Sequence, residues 1–172
     1  NYSLDANTSG DYNTAVGYNS LTGITSGNNN TAMGYNSIAA NGNDNSGFGF
    51  EALQVTTGDN NTAMGFRTMN NIEDADNNTG LGHRAGDVIT TGSQNVIIGA
   101  GSDPSANSAS NQIVIGYGAS GTGDNYAVIG NSNITRLYAA QDGAGVLYAN
   151  GTIQSSDRRI KRNIEDVSYG LN

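Results

Sequence analysis

A nine-residue phrase, Asn13-Thr-Ala-Val-Gly-Tyr-Asn-Ser-Leu21, returns almost letter for letter as Asn30-Thr-Ala-Met-Gly-Tyr-Asn-Ser-Ile38. Looser copies start at Asn45, Asn61 and Asn78, and three more apolar ones at Asn95, Asn111 and Asn125. The anchoring glycines are Gly17, Gly34, Gly49, Gly65, Gly82, Gly99, Gly116 and Gly130, so the steps are 17, 15, 16, 17, 17, 17 and 14 residues. Self-similarity at a short, nearly fixed period signals a one-dimensional stack of coils. Strands advance about 3.3 Å per residue, so a step of this length has room for two short strands and two turns, and none for a helix. The expected class is all-β: a parallel β-roll or β-solenoid of short (14–17 residue) coils over residues 1–133.

One position in each unit is large and apolar: Val16, Met33, Phe48, Met64, Leu81, Ile98, Ile115 and Ile129. These are the expected core or interface residues. Two places on, and so on the same strand face, stand Tyr18, Tyr35, Phe50, Phe66, His83 and Tyr117. Between the two lies the glycine, where a side chain would collide with a neighbouring coil or chain. Turns rich in Gly, Asn and Asp precede each repeated Asn, and those residue types tolerate left-handed backbone. The Asn at one fixed place per coil can stack into a hydrogen-bonded ladder.

With 35 % hydrophobic residues, 25 glycines and 26 asparagines the chain argues against a packed globule. Without its period such a composition would suggest disorder. Charge is sparse and acidic, with a net of −8, and no Lys or Arg occurs before Arg67. An acidic stalk repels DNA and anionic lipid, so neither nucleic acid nor membrane insertion is expected. No apolar run is long enough to span a bilayer as a helix, and zero cysteines leave stacking to hold the chain together. The missing start methionine suggests a piece of a longer protein.

From residue 95 the units become apolar on consecutive positions: Val96-Ile-Ile98, Ile113-Val-Ile115 and Val128-Ile129. Both strand faces then need cover. The coil supplies one side, and an identical chain is the simplest supplier of the other, as in a homotrimer around a threefold axis. A monomeric solenoid, with one residue inward and one into a loop, is the competing reading. Residues 134–154 drop the repeat and read as a β neck, with strands at Ile134–Tyr138 and Val146–Tyr148. In 155–172, Ile160, Ile164, Val167 and Leu171 form a helical stripe behind a Ser or Asp cap, which predicts a short C-terminal helix.

Ser156, Asp157 and Lys161 make a candidate nucleophile-and-base set, since neighbouring Arg158, Arg159 and Arg162 would depress the lysine pKa. The plainer reading is a solvated helix start with an Asp157–Lys161 ion pair at i, i+4. On a regular helix residues five apart sit about 140° round from each other, so the pair could meet only through a turn or a neighbouring chain. His83 is the sole histidine and stands in a column of aromatics, so it reads as a substituted Tyr rather than a metal ligand. Asp11, Asp59, Asp76 and Asp124 lie in turns without the calcium-solenoid pattern. The Thr14, Thr31, Thr62 and Thr79 column is too narrow for a flat ice-facing array. No cofactor or metal is expected.

The Asn-Thr-Ala-Val-Gly-Tyr-Asn-Ser-Leu unit resembles the head repeats of trimeric autotransporter adhesins, which fold as trimers of left-handed parallel β-rolls. Similar repeats occur in tail fibres of phages and phage-like injection systems. Ser156-Asp-Arg-Arg-Ile-Lys-Arg-Asn-Ile164 is similar to the opening of the endosialidase-type intramolecular chaperone domain. That resemblance implies trimerisation followed by a single self-cleavage at Ser156-Asp157, with Ser156 and Lys161 as the reacting pair and no substrate turnover. Together the two imply a structural, receptor-binding tail fibre on an extracellular particle, which attaches to a host cell-surface receptor such as a glycan. A bacterial surface adhesin is the alternative.

Overall fold

The structure is a computed structural model and describes residues 2–137. Eight three-residue strands form one parallel sheet in chain order. They are β1 (Thr14–Val16), β2 (Thr31–Met33), β3 (Ser46–Phe48), β4 (Thr62–Met64), β5 (Thr79–Leu81), β6 (Val96–Ile98), β7 (Ile113–Ile115) and β8 (Ala127–Ile129). Pairing is in register throughout, from Val16 opposite Met33 to Ile115 opposite Ile129. The repeat therefore folds as a parallel β-solenoid, and all its coils belong to one compact unit, Asn1–Thr135. Ile134–Leu137 carries no strand. The remainder of the expected neck, the expected helix, and Ser156, Asp157 and Lys161 lie outside the described residues.

A coil holds one strand, not the two its length allows. Past each of the first four strands come two left-handed residues two places apart: Asn19 and Leu21, Asn36 and Ile38, Glu51 and Leu53, Arg67 and Met69, with φ between 46° and 56°. Left-handed backbone at alternate positions winds the chain round and leaves no extended run. Each such residue costs about 1–2 kcal/mol. The cost is offset by complete burial of Leu21, Ile38, Leu53 and Met69, each worth about 1.5–3 kcal/mol. Neighbouring coils also bond turn to turn: Arg67 N–H donates to Phe50 O at 2.8 Å, and Met69 N–H to Ala85 O at 3.0 Å.

The recurrent large residues do not fill the coil. Val16 and Ile129 are 51 % and 54 % exposed, Met33, Met64 and Leu81 are similar, and Phe48, Ile98 and Ile115 are partly covered. Strand alternation turns the central residue inward instead: Ala15, Ala32, Gly47, Ala63, Gly80, Ile97, Val114 and Val128. The interior is narrow, and the turn residues already occupy it, together with Ile24, Ile72 and Ile89. A methyl group at Gly47 would sit 2.9 Å from Ile38 Cγ1, so only a small strand centre fits there.

That division of volume reverses along the stack. In the coils of β1 to β4 the strand centre is small and the turn supplies Leu21, Ile38, Leu53 or Met69. In those of β6 and β7 the strand supplies Ile97 or Val114, and the turn position holds Asp103 or Ser120. The β5 coil is small at both places, Gly80 and Gly86. Met69 reaches in from one side and Ile97 from the other: a Cβ on Gly80 would lie 2.8 Å from Met69 Cε, and one on Gly86 would lie 3.6 Å from Ile97 Cγ1. The apolar shift near residue 95 is thus partly a change in which element fills the core. Val96 and Ile98 flank the buried Ile97 and stay only half covered.

Two polar ladders run the length of the sheet edge. In the first, the N–H groups of Asn30, Asn45, Asn61, Asn78, Asn95 and Gln112 each donate to the side-chain oxygen of the Asn one coil earlier, at 2.9–3.0 Å. The amide nitrogens of the five asparagines donate across to turn carbonyls of the next coil, as Asn61 Nδ2 does to Ala75 O at 2.8 Å, whereas Gln112 Nε2 donates to Ser105 Oγ and Asp124 Oδ1. The expected ladder is present, with a correction at its far end. Asn111 and Asn125 stand one place early, in left-handed turn positions (φ 53° and 65°), and Gln112 and Tyr126 occupy the ladder column. The second ladder points the other way: Asp11, Asn28, Asn43 and Asp59 N–H groups donate to Asn28, Asn43, Asp59 and Asp76 Oδ1, one coil later. The carboxylates of Asp59, Asp76 and Asp124 are therefore backbone acceptors.

Candidate functional site

Beyond the strand and its following glycine, the chain corners on an aromatic column. Tyr18, Tyr35, Phe50, Phe66 and His83 stack in sequence, with ring centroids 5.6, 4.9, 5.2 and 5.1 Å apart and planes within 12° of parallel. In-register coils impose this spacing, because neighbouring strands lie about 4.8 Å apart. Stacked pairs contribute about 0.5–1.5 kcal/mol each beyond the area they cover. His83 does take the place of a tyrosine, face to face with Phe66. Arg67 lies over Phe66 at 5.4 Å and pairs with Glu51 at 2.6 Å, one coil away.

One coil further on the column breaks. Ala100 occupies the ring position, and Tyr117, the next aromatic, is 79 % exposed. A depression of about 460 Å³ opens there, lined by His83, Arg84, Asp87, Ala100, Gly101, Asp103, Tyr117 and Gly118. Arg84 Nε donates to Asp87 Oδ2 at 2.6 Å, and that bond holds the guanidinium still more firmly protonated. Asp103 is half-buried, and its Oδ1 has no hydrogen-bond partner. Burial first, and then the charge of Asp87, push its carboxyl above the usual value; the Val88 N–H and Arg84 work against them.

A raised carboxyl means that the folded chain holds its proton more tightly than the unfolded one. Stability is then highest while Asp103 is protonated, and it declines as pH rises from the ordinary Asp range through the raised value. Asp103→Asn, which cannot ionise, is expected to melt at a higher temperature than the parent at pH 7. The gain should vanish below about pH 4, where both forms are neutral. Thermal melts at several pH values check the sign.

Ser156, Asp157 and Lys161 lie outside the described residues, while Val16, Met33, Met64, Leu81 and Ile129 form an exposed apolar column. Among the described residues no group of three or more His, Cys, Asp or Glu is placed to hold a metal ion. Sequence reasoning passed over the depression because Ala100 is merely the absence of a ring. Aligning the coils on their glycines does expose it, since residue 100 is the first non-aromatic in its column. The geometry defines a class, a parallel β-solenoid with a ring column along one corner. Comparison with protein-family models, with curated proteins and with solved structures finds no match.

Proposed function

We propose that the chain is part of a homotrimeric attachment fibre, carried on a phage or phage-like injection particle, whose corner and turn residues face a host surface. The observation that carries this reading is the column Val16, Met33, Phe48, Met64, Leu81, Ile98, Ile115 and Ile129. It is unbroken over eight coils, and several members are 44–54 % exposed in a single chain. Monomeric proteins rarely leave so long a contiguous apolar strip to water. A sideways neighbour would cover it at about 1.5–3 kcal/mol per large side chain, and closed symmetry would cover it on every chain. The resemblance of the repeat to trimeric adhesin heads favours three copies over two.

Light scattering on the purified protein is expected to give three times the chain mass of 17.7 kDa. Met33→Asp combined with Met64→Asp, both at outward positions, should drive it to one chain. A parent protein that runs as one chain at micromolar concentration would overturn the trimer.

A further inference from the structure

We propose that the break in the ring column at Ala100 is a receptor slot for one uncharged sugar ring, a neutral pyranose at the end of a glycan; it rests on the attachment reading above. Along the column each ring lies 4.9–5.6 Å from the next. Leaving out one ring sets His83 and Tyr117 two coils apart, about 9.6 Å at the usual strand spacing. That interval admits one flat group with a stacking distance to spare on either side. Both aromatic residues line the depression, and between them the floor is Ala100 with Gly101 and Gly118. A Cβ on either glycine would have nothing within 4 Å, so the floor is open backbone.

The rim selects among flat groups. Arg84 stands with two carboxylates, Asp87 and Asp103, which leaves the slot one charge negative. Acidic sugars and phosphates would meet that excess on a chain of net −8. A pyranose presents C–H faces to the two rings and hydroxyl donors to carboxylate acceptors, and Arg84 can donate to its ring or hydroxyl oxygens. An aromatic side chain or a nucleobase would use the rings but offer the carboxylates few donors or none.

Titration of the whole protein with methyl glucoside, methyl galactoside and methyl mannoside, followed by saturation-transfer NMR, tests this directly, with the methyl glycoside of N-acetylneuraminic acid as the acidic comparator. At least one neutral methyl hexoside should saturate, and the acidic methyl glycoside should bind about tenfold or more weakly. Ala100→Tyr, which continues the column through the gap, should abolish binding and raise the melting temperature. Tyr117→Ala alters an exposed side chain, so it keeps the test valid if the tyrosine variant fails to fold; it should weaken binding about tenfold. The slot is overturned if no neutral hexoside binds, if the acidic methyl glycoside binds as tightly, or if a folded Ala100→Tyr protein binds like the parent. Attachment to a panel of bacterial cells separates the two ideas. If cells bind parent and Ala100→Tyr equally, the slot falls and attachment stands. If hexosides bind but no cells do, attachment falls and the slot stands.

Discussion

Asn61→Ala is expected to cost about 3–6 kcal/mol, a large share of the ~5–15 kcal/mol that holds a typical domain folded. Asn61 is fully buried. Its Oδ1 accepts from the Asn78 N–H at 3.0 Å and from Asn78 Nδ2 at 3.1 Å, and its own Nδ2 donates to Ala75 O. Alanine would strand two donors and one acceptor where water cannot reach them, at about 1–3 kcal/mol apiece. Some of that loss is recovered if Asn78 Nδ2 relies on its second bond, to Gly92 O at 3.0 Å. Urea unfolding followed by circular dichroism measures the loss. A loss under 1 kcal/mol would mean that the ladder is incidental to stability.

The second large effect is expected at Gly65. Its φ is 139°, a region where side chains are rarely accommodated, and an added Cβ would fall 2.7 Å from Thr68 Oγ1 and 2.8 Å from the Gly82 carbonyl carbon. The obstacle is mainly the backbone of the next coil, which cannot swing aside without parting β4 from β5. Gly65→Ala should therefore cost about 3 kcal/mol or more. Gly101 supplies the contrast: its φ is 63° and its Cβ direction is empty. Gly101→Ala carries only the left-handed penalty of about 1–2 kcal/mol. Equal losses at the two sites would show that crowding between coils is not what excludes the side chain.

The stack was legible because its signals are positional. A glycine every 14 to 17 residues, and an Asn four places before it in the first six copies, can be read from letters alone. Which face pointed inward was not legible. Size marked Val16 and Met33 for the core or an interface without saying which, and the space inside the coil is taken by Leu21 and Ile38, reached through left-handed backbone that nothing in a Leu or an Ile announces. The same hidden bends removed the second strand, for Glu51 and Arg67 are not residues that advertise a turn. At Asn111 and Asn125 the familiar letter appeared one place early, because Asn suits both the left-handed corner and the ladder. The gap at Ala100 escaped for the opposite reason: a small residue in an otherwise variable stretch carries no signal until its neighbours are stacked upon one another.

The way the core is shared between strand and turn governs how such a gene can change length. Deleting or duplicating one repeat's worth of codons among the first four coils brings like against like, since each supplies a small strand centre and a bulky turn residue. Deleting the fifth coil would set Met69 against Ile97 with no glycine-lined adaptor between them. Rod length can thus drift readily on the amino-terminal side of Gly80 and Gly86, while the junction itself resists being lost.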